Sequence, residues 1–109
     1  MVIPTYSDPV SVEDRVRIEI NKYDWDIELV TAIFLAESGL NPNAYNPEWH
    51  KNCQGSIGVA QVACIHYPEN PTALYDYKFN IEIAYNLYSK YGWKIWGSYT
   101  DKRYLQYLK

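Results

Sequence analysis

The sequence predicts one α+β domain, predominantly helical, with a small β element after the second helix. Three observations carry this. Apolar residues recur at helical spacing over 12–23, over 27–38 and again from Asn80 onward. Between the last two, from Asn43 to Ala63, Asn, Pro and Gly become frequent and the apolar run Ile57-Gly58-Val59-Ala60-Gln61-Val62 is short and β-branched. Finally, 109 residues, 48% of them apolar, suffice for one hydrophobic core. No internal repeat, low-complexity segment or linker divides the chain, so 1–109 reads as a single domain.

The elements follow in order. Ser11 with Asp14 three residues on reads as a capping box opening a helix over 12–23, with Val12, Val16, Ile20 and Tyr23 on its inner side. Asp24 or Asp26 caps a second helix over 27–38, which Gly39 and Pro42 stop. The stretch 43–63 suggests loops with a small hairpin or irregular sheet. Asn80 is read as the N-cap of a third helix, with Ile81, Ala84, Tyr85 and Tyr88 forming a buried stripe and Gly92 ending it. Thr100 to Leu108 fits a short amphipathic helix with Tyr104, Leu105 and Leu108 inward.

Composition removes several classes of function. The net charge is −3 with acids and bases interspersed, so no basic stripe invites nucleic acid. No apolar run approaches twenty residues, so no membrane span is expected. The opening Met1-Val2-Ile3-Pro4-Thr5-Tyr6 lacks a charged region and an apolar core, so no signal peptide is expected in this chain. Either one has been trimmed or the protein leaves its cell by another route. Twelve Tyr and four Trp stand against two Phe, and such rings suit wet grooves, sugar stacking and interfaces as well as small cores.

Cys53 and Cys64 lie eleven residues apart and are flanked by His50 and His66. Three readings stand. The cysteines form one disulfide, they remain free thiols, or the His-x-x-Cys and Cys-x-His pairs hold a structural zinc.

The most informative segment is Ala36-Glu37-Ser38-Gly39-Leu40-Asn41-Pro42. Val30, Ile33 and Phe34 precede Glu37 by seven, four and three residues, so the carboxylate shares an apolar stripe. Desolvation there disfavours the charged form, the condition a general acid needs near neutral pH. The plainer alternative is a helix-end glutamate that escapes to solvent.

Further along stand Gly55-Ser56-Ile57-Gly58-Val59-Ala60-Gln61, then Asn80-Ile81-x-x-Ala84, then Gly92-Trp93-x-x-Trp96. With the Glu-Ser-Gly helix end, this order resembles the lysozyme-like lytic transglycosylases, the soluble-lytic-transglycosylase domain of bacteria and their phages. The family shows Glu-Ser-Gly, then Gly-[Ala/Ser]-x-Gly-[Leu/Val]-x-Gln, then Asn-Ile-x-x-[Ala/Gly]; the resemblance covers about residues 20–99. It implies a lysozyme-like fold whose β element follows the catalytic helix. Glu37 matches the family's single catalytic acid and Gln61 the glutamine lining the glycan groove. Asn46 stands where a substrate-contacting Ser is common, Ser56 matches the small residue of the Gly-rich turn, and Asn80 begins the third motif. Two departures stand out. Pro47–Gln54 is an insertion relative to the commoner short form, and the closing Ala-Tyr-Asn-Ala-Gly motif, whose tyrosine supports the acid, is not plainly present. Tyr99 is the preferred substitute for that hydroxyl and Tyr85 the second.

The resemblance implies cleavage of the β-1,4 bond between N-acetylmuramic acid and N-acetylglucosamine in peptidoglycan. Glycosidases ordinarily use two carboxylates. Here Cys53–Ala63 contains none, and Glu48, in the insertion, is read as a solvated loop residue pointing away from the groove. A single acid suffices if the substrate's 2-acetamido oxygen attacks the anomeric carbon and Glu37 then deprotonates the C6 hydroxyl, closing a 1,6-anhydro ring. That route needs no metal or organic cofactor. It implies a monomer acting outside the cytoplasm, at the cell wall, in the periplasm or with a phage. Hydrolysis by the same Glu37, as in a lysozyme, is the near rival. A non-catalytic wall-binding or phage-tail module and a protein-binding helical domain are the readings from other classes.

Overall fold

A computed structural model describes residues 11–108; the opening segment read for a signal peptide lies outside the described residues. Helix α1 spans Val12–Ile20, and Ser11 Oγ caps it by accepting the Asp14 N–H at 3.1 Å. It stops a turn before the expected 23. The Ile20 carbonyl, which a further turn would need, accepts the Trp25 indole N–H at 2.9 Å instead. Val16 and Ile20 are buried, whereas Val12, in the first turn, is exposed.

Helix α2 spans Ile27–Ser38, the bounds expected from the sequence, with Asp26 accepting the Leu29 N–H at 3.1 Å. Gly39 ends it in the left-handed conformation, φ 68°, donating its N–H to Leu35 O at 2.9 Å. The Ser38 hydroxyl donates to Val59 O at 2.7 Å and so fastens the helix end to the sheet side of the molecule.

The irregular region is a three-stranded antiparallel sheet of order β1-β2-β3: β1 Tyr45–His50, β2 Cys53–Ile57 and β3 Val62–Ala63. Asn46 faces Ser56 and His50 faces Cys53, with the register shifting between Asn46 and Trp49. Pro47 lies in that shift, where a residue without an N–H is tolerated. A bond of 2.07 Å joins Cys53 Sγ to Cys64 Sγ, with the Cα atoms 6.2 Å apart. Of the three cysteine readings the disulfide is therefore the observed one. Zinc fails because the sulfurs ligate each other, and among the described residues no group of three His, Cys, Asp or Glu could hold a metal ion.

Helix α3 spans Tyr77–Tyr91 and begins earlier than expected. Its cap is Asp76, whose carboxylate accepts the Lys78 and Phe79 N–H groups at 2.9 and 3.4 Å. Asn80 cannot serve as cap because its amide is spent elsewhere: Oδ1 accepts the Ala60 N–H at 3.0 Å, and Nδ2 donates to Ile57 O and Leu74 O at 2.8 and 2.9 Å. Gly58 makes this possible. At φ 80°, with a hypothetical Cβ only 2.5 Å from Asn80 Nδ2, the position admits only glycine. The second and third motifs of the sequence are thus two halves of one clamp.

After Gly92, a 3₁₀ turn over Trp93–Ile95 leads to the short helix α4, Gly97–Thr100. The expected amphipathic helix over 100–108 is replaced by a 3₁₀ turn, Arg103–Tyr107. Asp101 breaks the helix by accepting the Arg103 N–H at 3.0 Å, and Lys102 turns left-handed at φ 69°. Of the three residues expected inward, only Tyr104 packs against the core, stacked on Tyr99 at 5.2 Å; Leu105 and Leu108 are exposed.

One core joins these elements, from Val16 and Ile20 through Val30, Ile33 and Phe34 to Val59, Leu74, Ile81 and Trp96. Much of the aromatic content gathers around Trp25, with Tyr23, Tyr85, Tyr88 and Trp93 within 5.2–6.1 Å of its ring. Among the described residues no helix is long and apolar enough to cross a membrane.

Candidate active site

A cleft of ≈ 240 Å³ opens between the end of α2 and the sheet. Four residues that the sequence assigned to one site line it together: Glu37, Asn46, Ser56 and Gln61. Each arrives from a different backbone context. Glu37 sits in the last turn of α2, Asn46 and Ser56 face each other across β1 and β2, and Gln61 occupies the left-handed turn before β3, φ 51°.

The Glu37 carboxylate is half-buried, neither sealed in the core nor free in solvent. Its Oε2 accepts the Ser98 backbone N–H at 3.0 Å. Ser98 is the second residue of α4, a helix that lacks a side-chain cap of its own, so Glu37 supplies that cap from another element. The Ser98 hydroxyl in turn bonds Ile33 O at 3.4 Å, fixing α4 to α2. One carboxylate oxygen is therefore positioned by backbone while the group faces an open cleft.

On the sheet wall, the Gln61 Nε2 donates to Gly58 O at 3.0 Å and Ala44 O at 3.3 Å, which holds the turn and leaves its Oε1 uncommitted among the described residues. Ser56 Oγ lies 3.0 Å from His50 Nε2. Glu48 also lines the cleft, with Oε1 4.0 Å from the same imidazole nitrogen. Glu48 is solvated as expected, its side chain 64% exposed, but the expectation that it sits in a loop and points away is corrected: it lies on β1 and borders the cleft.

Three other assigned residues stand apart. Asn80 is fully buried in the clamp described above and offers nothing to a ligand. Tyr85 packs beside Trp25, its hydroxyl donating to Asp24 O at 3.5 Å, and does not line the cleft. Tyr99 neighbours Ser98 in sequence but turns onto Tyr104. Among the described residues the group that supports Glu37 is a peptide N–H, not a phenol.

Among the cleft residues that sequence reasoning missed are His50, His66 and Arg103. The histidines carried a signal, their closeness to the cysteines, and the disulfide turns that closeness into a shared wall. Desolvation of its ring, and then the neighbouring His50, hold the His66 pKa below its ordinary value. Arg103 carried no signal in the sequence. Trp96 closes the inner end, its indole donating to Ala60 O at 2.8 Å.

No protein-family model, curated protein or solved structure matches the chain.

Proposed function

We propose that the cleft cleaves the β-1,4 bond between N-acetylmuramic acid and N-acetylglucosamine in peptidoglycan, with Glu37 as the single acid and base. The observation that carries the reading is the Glu37 carboxylate, anchored through one oxygen by Ser98 and facing a cleft shared with Asn46, Ser56 and Gln61. An acid used twice in one turnover must hold its place in both protonation states. A backbone donor on one oxygen meets that need and leaves the other oxygen for the sugar. In the protonated form Glu37 gives its proton to the leaving oxygen as the 2-acetamido oxygen attacks the anomeric carbon. The resulting carboxylate then takes the C6 hydroxyl proton while that oxygen attacks the anomeric carbon, displaces the acetamido oxygen from it and closes the 1,6-anhydro ring. A lysozyme-like fold belongs to the same proposal, supported by the order of helix end, small sheet and long helix around the cleft. So does a setting outside the cytoplasm, supported by the disulfide.

Hydrolysis is the second reading, and Glu48 in the cleft is what favours it. Mass spectrometry of digested peptidoglycan separates the two: anhydro-muropeptides are expected, reducing ends mean hydrolysis, and an intact glycan means a binding module. Glu37→Gln keeps an oxygen that can accept the Ser98 N–H, so the variant should fold. It cannot donate the proton, and lysis should fall by several orders of magnitude. Turbidity clearance within about tenfold of wild type would remove Glu37 from the chemistry.

A further inference from the structure

Arg103 lines the cleft without a task in the proposed reaction, and among the described residues lining the cleft it is the only Lys or Arg. Its Nε donates to Asp101 Oδ2 at 2.8 Å, and its backbone N–H donates to Asp101 Oδ1 at 3.0 Å. Asp101 thus grips both the main chain and one edge of the guanidinium. No described residue accepts from Nη1 or Nη2. Both partners of this ion pair are about half exposed, 52% each, and such pairs add little to stability. What the pair does achieve is orientation. A guanidinium held at Nε presents its two Nη groups end-on, the fork that matches a carboxylate bidentately. Gly97 lies beside the fork, where a Cβ would stand 3.7 Å from Nη2, in ordinary contact with it.

Among the described residues lining the cleft Arg103 carries the one permanent positive charge, so an anion would bind there by direct contact with the Nη fork, against the acidic Asp101, Glu37 and Glu48 around it. The bond to Asp101 is the main reason the Arg103 guanidinium is held above the ordinary arginine range, and the Glu37 carboxylate adds to it, so Arg103 stands within the electrostatic reach of the proposed acid. His66, held below its usual range, is uncharged near neutral pH. Glu37 and Glu48 would repel an acidic ligand from the rest of the cleft.

We propose that Arg103 recognises a carboxylate borne by the glycan strand, binding it through Nη1 and Nη2 while Asp101 fixes the guanidinium. The proposal rests on the peptidoglycan reading and names which part of that substrate the cleft selects. Two sources share the chemistry: the lactyl carboxyl of a strand stripped of peptide, and a carboxyl of the peptide stem.

The test compares substrates in pairs. One pair is stem-free strands with lactyl carboxyls free or methyl-esterified; the other is stem-bearing peptidoglycan with stem carboxyls free or amidated. Initial rates with wild type should favour the charged member of one pair by about tenfold or more. The pair that shows the preference identifies the source. In Arg103→Ala the preference should fall below about twofold, with Arg103→Lys between the two, and thermal melts should show both variants folded. Calorimetric binding of the same pairs to Glu37→Gln, with and without Arg103→Ala, reads the preference without turnover. A preference as strong in Arg103→Ala as in wild type overturns the assignment. So does wild type that cleaves both members equally, which leaves the cleavage reading standing. Wild type that binds with the Arg103-dependent preference yet cleaves nothing keeps the carboxylate site and ends the cleavage reading. Wild type that binds no glycan ends both.

Discussion

Glu37 is legible in the sequence because its spacing from Val30, Ile33 and Phe34 places it on the inner stripe of α2 just before a left-handed glycine. Asn46, Ser56 and Gln61 are legible through motif order, and the cleft brings them together with it. Asn80 is misjudged for a physical reason. A polar residue in a motif serves substrate or scaffold, and only the acceptors around it decide which; here Ile57 O, Leu74 O and the Ala60 N–H consume the amide. Tyr85 and Tyr99 were assigned a role that a backbone N–H performs. Glu48 is the residue on which the mechanism turns. In a two-carboxylate hydrolase the partner faces the acid across the scissile bond at roughly 5–5.5 Å for retention or 6.5–9.5 Å for inversion. Under the single-acid mechanism Glu48→Ala should keep activity within about tenfold of wild type in initial-rate assays. A folded Glu48→Ala as inactive as Glu37→Gln would make Glu48 a base or nucleophile and the product a reducing end.

Helix boundaries are readable where a local cap decides them and misread where a distant group intervenes. Asp26 and Gly39 bound α2 by their own chemistry, and the expected limits hold. α1 ends early because an indole five residues on takes its last carbonyl, and the 100–108 helix fails because the Asp101 carboxylate captures the Arg103 amide. The clamp formed by Asn80 and Gly58 ties α3 to the sheet turn and to Leu74 O through three buried hydrogen bonds. Asn80→Ala removes three hydrogen bonds and leaves a buried N–H and two buried carbonyls without that partner. At roughly 1–3 kcal/mol for each buried group left unsatisfied, the loss should be about 3 kcal/mol or more. Urea denaturation measures it, and a loss below about 1 kcal/mol would show that the turn repacks without the amide.

Across the whole molecule, the disulfide and the His50–His66 wall join the stability of the fold to its chemistry. The His66 pKa is lower in the folded chain than in the unfolded one, so between those two values the unfolded state binds more protons. Stability should therefore rise with pH through that window, level off above about 6.5, the ordinary histidine value, and be poorest below the folded value. Denaturation midpoints of wild type and His66→Asn across acid to neutral pH should show the slope flattened in the variant; parallel curves would mean that His66 does not titrate against the fold. The sheet has one more consequence. β1 lies at its border, and among the described residues only β2 pairs with it. Pro47 offers no amide there, and the shifted register between Asn46 and Trp49 breaks the even row of donors and acceptors. An incoming strand would find only short, mismatched stretches to zip onto, so crowded copies of this chain are steered away from recruiting one another into fibres, even with Trp49 bare to water on that same strand.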